Sequence, residues 1–158
     1  MSLSEFYENY WKMRASIFEE STEAGRSARA FYQTIVGDDA IVRLTVALRL
    51  RVTEGGQDWE LEVADWKRTR EFLDYYETQP LDNDERYWLL ELIIGSFDEY
   101  LLIQGPNDRM TARVRRHVIE SFEAHRLTVK YWACLQKPET TGWPITPLMR
   151  EVWEYCTA

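Results

Sequence analysis

The chain has 158 residues, of which 45% are hydrophobic and 14% are aromatic, and its mass is 18.9 kDa. Its 27 acidic and 19 basic side chains give a formal net charge of -8 at pH 7. The aromatic content excludes a chain that is disordered throughout, because it supplies enough apolar surface to offset chain entropy. The negative charge argues against non-specific nucleic-acid binding, which requires neutralisation of phosphates.

Length and patterning predict one globular domain spanning residues 1 to 158. No apolar run approaches the roughly 18 residues of a membrane span, and Glu5 and Glu8 stand where a signal peptide needs a basic start and an apolar middle. We therefore expect a cytoplasmic protein without membrane contact. Cys134 and Cys156 are too few for a disulfide framework and are expected to be reduced, packed thiols.

Two amphipathic helices are predicted at the start of the chain. Ser2 and Glu5 form a capping-box pattern, and apolar residues then recur at helical spacing to about residue 20. A second helical pattern runs from Ala24 to Ile35 and stops before Gly37, a residue type that commonly closes helices.

Residues 41 to 64 are predicted to form a β-hairpin. Apolar and polar side chains alternate from 42 to 52 and again from 59 to 63, which is the period of a strand with one buried face. A helix is the competing interpretation, because Ala, Leu and Arg are good helix formers, but it would scatter these apolar residues around its axis. The hairpin register places opposite charges across from each other, Arg49 with Glu62 and Arg51 with Glu60. It also pairs apolar side chains, Leu50 with Leu61 and Leu48 with Val63.

The remainder of the chain is predicted to be helical. The expected helices run from 65 to 79, from 82 to about 104, from about 108 to 135, and from 146 towards the C-terminus. Asp82 and Glu85 supply a second capping-box pattern. The predicted fold class is α+β and predominantly α-helical, with about six helices and one inserted β-hairpin at about 41 to 64.

An acidic stripe is predicted on the helix that begins near residue 82. Asp84, Glu91 and Asp98 recur every seven residues, with Glu99 beside them, and the positions four residues further on carry no Lys or Arg. Two interpretations remain open. The stripe is either an ordinary solvated or packed helix face, which is the default, or a surface that attracts a basic protein partner.

Trp143 is the second candidate for partner binding. It lies in the segment Thr141-Gly142-Trp143-Pro144, where Gly and Pro restrict the loop, and exposed aromatic side chains dominate interface hot spots. The alternative, equally weighted, is that Trp143 folds back as a lid over the helical core.

Catalytic motifs are weak in this sequence. The glycines form neither nucleotide-binding pattern, and neither a cofactor nor a metal site is expected. His117 and Glu120 stand three residues apart on a predicted helix and form the candidate acid-base pair. An exposed histidine beside a helical carboxylate is the simpler interpretation of that pair, and partial burial is expected for His125.

The helix from Asp84 to Leu101, which contains the segment Ser96-Phe97-Asp98-Glu99, resembles helices of small bacterial immunity proteins encoded beside secreted or contact-dependent toxins. This resemblance covers under a fifth of the chain and carries over no individual toxin contact. It implies a cytoplasmic, non-enzymatic protein that protects its producer by binding a cognate toxin.

The leading hypothesis is an acidic cytoplasmic inhibitor that neutralises a toxin by direct protein-protein binding. Its partner would be a basic protein such as a toxin domain, and its expected contact residues are Asp84, Glu91, Asp98, Glu99 and Trp143. One alternative is a small helical enzyme that uses His117 and Glu120. Another is an assembly subunit that forms a homodimer through exposed Trp residues and the hairpin edge.

Overall fold

Every secondary-structure element that the structure describes is helical. The computed structural model describes residues 39–53 and 58–158, and contacts divide the chain into two units, residues 1–63 and 64–158. The helices predicted at 2 to 20 and at 24 to 35 lie outside the described residues. The assignment of residues 1 to 158 to one domain stays a prediction.

The predicted β-hairpin at 41 to 64 is wrong, and with it the α+β fold class, because the described residues contain no β-strand. Helix α1 spans Asp39–Leu48, and the short helix α2 spans Trp59–Glu62. The Arg51 side chain donates a hydrogen bond to the main-chain carbonyl of Glu62. Because Glu60 and Glu62 lie in a helix, the proposed cross-strand pairs do not form.

The apolar pattern of α1 fits two periods at once, which explains the error. Ile41, Leu44, Thr45 and Leu48 follow the helical spacing of three and four residues, and all four are buried. Leu44 and Leu48 also belong to the alternation that favoured a strand. The hydroxyl of Thr45 donates to the carbonyl of Ile41 at 2.7 Å, so the one polar member of this face is satisfied within the helix.

Residues 64–158 form a helical unit arranged around one long helix. A 3-10 turn at Trp66–Arg68 leads into α3 (Thr69–Thr78), followed by α4 (Asn83–Gln104), α5 (Asp108–Glu120), α6 (Arg126–Trp132) and α7 (Thr146–Thr157). Helix α4 packs against the 3-10 turn, α3 and α5, whereas α7 packs against α5 and α6. Within the described ranges, no helix is both long enough and apolar enough to span a bilayer.

Helix α4 is buried on every side over its middle turns. All nine residues from 89 to 97 are buried, including Glu91 and Ser96. A helix that loses its polar face in this way belongs to the centre of a core rather than to its edge. The sequence predicted a helix here, but it left open whether the acidic face of this helix is solvated or packed.

Helix starts are the best-predicted local feature. The capping box of α4 is confirmed: the Asp82 carboxylate accepts from the amide of Glu85 at 2.8 Å, and the amide of Asp82 donates to Glu85 Oε1 at 3.2 Å.

The single helix predicted from 108 to 135 is instead divided by a turn between Glu120 and Arg126. This turn buries the side chains of Phe122 and His125.

Replacement of Asp82 by Ala should destabilise the fold by about 1 kcal/mol, because the amide of Glu85 loses its side-chain acceptor at the start of α4. Asn83→Ala, a change at the next exposed position, is the matched control and should alter stability by less than about 0.5 kcal/mol. Urea unfolding followed by circular dichroism measures both values. Equal stability losses in the two variants would contradict the assigned role of the capping box.

Candidate functional site

The carboxylates of the predicted acidic stripe differ in their exposure to solvent. Asp84 is exposed in the first turn of α4, Glu91 is only 8% exposed, and Asp98 and Glu99 are half-buried. The seven-residue spacing does place these carboxylates along the same helix, but their surroundings differ. Their contact with a partner stays a prediction, whereas their contacts within the chain are defined.

Glu91 connects α4 to α6. Thr128 donates its hydroxyl hydrogen to Glu91 Oε1 at 2.6 Å, and Nδ1 of His125 lies 3.7 Å from Glu91 Oε2. His125 is itself buried and stacks on Tyr87, with ring centroids 4.7 Å apart. The carboxylate is therefore occupied by internal polar contacts. His125, for which partial burial was predicted, is only 2% exposed.

Asp98 connects α4 to the loop that precedes α7. Its carboxylate accepts a hydrogen bond from the main-chain amide of Ile145 at 3.0 Å. Burial raises the pKa of Asp98, and the hydrogen bond from Ile145 opposes this shift. Burial is also the main cause that raises the pKa of Glu99, with the charge of Asp65 next. Asp98 thus fixes the end of the segment that contains Trp143.

Three neighbouring side chains, Leu127, Tyr131 and Trp143, form what we call the aromatic surface. They are 80%, 50% and 38% exposed, respectively. The rings of Tyr131 and Trp143 stack with centroids 5.0 Å apart and an interplanar angle of 29°. Behind them, the buried Trp132 meets the Trp143 ring at 68° and 5.1 Å. Trp143 is therefore neither a free anchor nor a buried lid. Its ring stacks on Tyr131 and remains partly exposed as part of the aromatic surface.

Hydrogen bonds hold the Trp143 loop in one geometry. Thr146 Oγ1 accepts from the amide of Trp143 at 2.9 Å and donates to the carbonyl of Trp132 at 2.6 Å. The guanidinium of Arg150 reaches the same region from α7 and donates to the carbonyls of Ala133 and Thr140, both at 2.9 Å. Because both ends of the loop are bound, the aromatic surface is preorganised.

Gly142 is required at its position by both conformation and space. It adopts a φ of 69°, which side chains disfavour, and a Cβ atom there would overlap the side chain of Thr146 and approach Cys134 Sγ to 2.9 Å. The sequence indicated this loop through its Gly and Pro residues. The sequence also carries a signal for Leu127 and Tyr131, which are four residues apart and lie outside the Val129 face of α6.

A second polar cluster surrounds the carboxylate of Glu77. Arg113 donates to both of its oxygens, Arg116 donates to Oε1 at 3.0 Å, and His117 Nε2 lies 2.9 Å from Oε1. The hydrogen bond from Arg113 is the main cause that lowers the pKa of Glu77 to about 2; burial opposes it, and His117 adds to the lowering. Because the carboxylate is ionised, His117 Nε2 carries the proton that they share.

His117 lies at a cavity of about 300 Å³ lined by Tyr76, Glu77, Arg86, Arg116, His117 and Glu120. Its ring is buried against Tyr76, with centroids 4.7 Å apart, and Nδ1 lies 3.8 Å from Glu120 Oε2. Nδ1 has no hydrogen-bond partner in the described part of the chain. The structure thus brings His117 and Glu120 to one cavity, but Glu77, forty positions away in sequence, is the closer carboxylate.

Other candidate chemistry is weaker. Cys134 and Cys156 are free thiols, and burial, followed by the charge of Glu123, raises the pKa of Cys156, which opposes formation of a nucleophilic thiolate. Among residues 39–53 and 58–158, no cluster of three or more His, Cys, Asp or Glu side chains has the arrangement to hold a metal ion.

No protein-family model matches the chain, and no curated protein or solved structure shows significant similarity to it. Function must therefore be inferred from the two features described above, the aromatic surface and the cavity beside His117. The resemblance of the α4 sequence to immunity proteins stays a prediction.

The pKa of Glu77 leads to an acid-dependent stability prediction. Since this pKa is depressed in the folded chain, the contribution of Glu77 is complete above the unfolded value of about 4.3 and is lost as the pH falls towards about 2. After a discount for solvent screening, we expect about 1 to 2 kcal/mol of stability from this group at pH 7. Thermal unfolding at several pH values checks this, with Glu77→Gln reducing the acid-dependent loss and Glu139→Gln, an exposed control, retaining it.

Gly142→Ala should destabilise the chain by about 1 to 3 kcal/mol, because the new side chain meets both an unfavourable φ and the side chain of Thr146. Gly105→Ala provides the matched control, since Gly105 also has a positive φ but open space around its Cβ position. Urea unfolding monitored by Trp fluorescence compares them. A Gly105→Ala loss equal to that of Gly142→Ala would show that close packing around Gly142 contributes nothing.

Proposed function

We propose that this chain is a non-catalytic protein-binding module that acts in the cytoplasm as an inhibitor of a toxin. The observation that carries the binding proposal is the aromatic surface, in which Tyr131 and Trp143 stack while remaining half and more than one-third exposed, with Leu127 beside them. Exposed apolar groups of this kind mark interaction sites when they are contiguous. Tyr and Trp are also the residue types most enriched in binding hot spots.

The rigidity of the aromatic surface supports the same proposal. Trp143 is fixed by Thr146 from one side and by the packed rings of Tyr131 and Trp132 from the other. When a partner binds these side chains, they have little rotamer freedom left to lose. A larger share of the contact energy is therefore retained as affinity. This preorganisation is the property expected of an inhibitor that must bind tightly.

The carboxylates of α4 enter the proposal in two different ways. Asp98 positions the Trp143 loop through the amide of Ile145. Asp84 and Glu99 retain exposed area and, together with the net charge of -8, attract a basic partner over a longer range. Glu91 acts within the fold through Thr128 and His125.

The identity of the partner as a toxin rests on the resemblance of residues 84 to 101 to helices of bacterial immunity proteins. The physical features that agree with it are the acidic charge and the preorganised aromatic surface, both of which suit a cationic protein with an apolar contact region. Self-association through the same aromatic surface is the alternative that the experiment must separate.

Trp143→Ala and Tyr131→Ala should each weaken partner binding by at least about 2 kcal/mol, which is roughly thirtyfold in Kd, because they remove central aromatic contacts. Tyr155→Ala removes a comparably exposed ring that lies on α7, outside the aromatic surface, and should cost less than about 1 kcal/mol. Binding kinetics against the toxin encoded beside this gene, and growth rescue in cells that express that toxin, measure both effects.

Two outcomes would contradict the proposal. If the neighbouring gene encodes no toxin and the chain rescues no toxin-expressing cell, the inhibitor function is wrong. If sedimentation shows a dimer that Trp143→Ala dissociates, the aromatic surface is instead a contact between two copies of the chain. Charge reversal at Asp84 and Glu99 provides a further distinction, since it should slow association at low salt without changing dissociation.

A further inference from the structure

The cavity beside His117 has the size and the polar groups of a small-molecule site. Its volume of about 300 Å³ lies at the lower end of the range found for ligand pockets. It is built entirely from α3, α4 and α5, which belong to the same unit of the chain. Two arginines, two carboxylates and two rings line it. A ligand that fits this lining carries both an anionic and a cationic group.

Of the two arginines that line the cavity, Arg86 has more N–H donors available to a ligand. Its guanidinium lies over the ring of Tyr76, with Cζ 4.4 Å from the ring centroid. Within the part of the chain that the structure describes, no carboxylate oxygen lies within ion-pair distance of it. Stacking on an aromatic face leaves the planar N–H edge of a guanidinium available, and this edge matches the two oxygens of a carboxylate.

Arg116 provides a second donor to the same cavity. Its side chain is 57% exposed and uses one nitrogen to bind Glu77 Oε1 at 3.0 Å. Glu77 is also bound by Arg113 through both of its oxygens, and Arg113 pairs with Asp74 as well, so Arg116 does not hold Glu77 alone. The remaining N–H groups of Arg116 are therefore free to share an anionic group with Arg86.

Glu120 restricts the charge of the ligand. Its side chain is 59% exposed, and Nδ1 of His117 lies 3.8 Å from its Oε2, which exceeds hydrogen-bond length. A carboxylate in this position repels a phosphate or a dicarboxylate that enters the cavity. It favours a ligand that carries an ammonium group close to its own carboxylate.

We propose that the cavity binds a small zwitterion of the α-amino-acid type, whose carboxylate is held by Arg86 and Arg116 and whose ammonium group is held by Glu120. The site is independent of the proposed toxin inhibition, because none of Leu127, Tyr131 and Trp143 lines the cavity. A variant of the aromatic surface should therefore bind the zwitterion as well as the wild-type chain does.

The test is calorimetric titration of the full chain with each of the twenty free amino acids, with NMR shifts of Arg86 and Arg116 side-chain N–H groups to locate binding. At least one amino acid should bind with a Kd of about 1 mM or tighter. Its N-acetyl derivative lacks the ammonium charge and its amide lacks the carboxylate, so each should bind at least about tenfold more weakly.

Variants assign the two ends of the ligand. Arg86→Gln and Glu120→Gln should each weaken binding at least about tenfold, whereas Glu139→Gln, an exposed control outside the cavity, should leave it unchanged. Circular dichroism confirms that each variant folds. The proposal is overturned if no amino acid binds at about 10 mM, if the N-acetyl derivative binds equally well, or if inorganic phosphate binds more tightly than every amino acid.

Discussion

The buried middle of α4 is the constraint on which the C-terminal unit depends. A helix covered on all sides cannot leave its polar side chains to water, so each of them must find a partner inside the fold. Ser96 accepts from the amide of Asp65 and Glu91 accepts from Thr128. Just beyond this stretch, the half-buried Asp98 accepts from the amide of Ile145. Three separate segments of the unit are thereby tied to one helix, and the last of these ties sets the position of Trp143.

Local patterns predicted local features, and they failed where two patterns overlapped. The capping box of α4 depends on residues three positions apart, so Asp82 and Glu85 could be read from the sequence. In α1, by contrast, Leu44 and Leu48 satisfy periods of both two and four residues. The buried residues of α1 include Ile41, Leu44, Thr45 and Leu48, which follow the helical period, but also Val42, which belongs to the alternation that favoured the strand.

The site residues divide in the same way between local and long-range information. Gly142 and Trp143 share one loop, and their sequence context was sufficient to select it. Glu77 and His117 are forty residues apart and meet because α3 and α5 pack together, which no sequence spacing indicates. The acidic stripe shows a third limit: a seven-residue repeat identifies a common helix face, but it does not tell whether solvent or another helix covers that face.

Net charge and the aromatic surface would act on different steps of partner binding. Long-range attraction by the charge of -8 raises the rate of encounter and weakens as salt screens it. In the proposed complex, the stacked rings of Tyr131 and Trp143 would act only after contact, when they exclude water, and so they would determine how slowly the complex dissociates. Because Asp98 fixes the loop of Trp143 from inside the fold, its loss would be felt in dissociation rather than in association, although it is a carboxylate. In the proposed complex, the same residue type would thus affect dissociation at Asp98 and association at the exposed Asp84, and burial would decide which rate each residue changes.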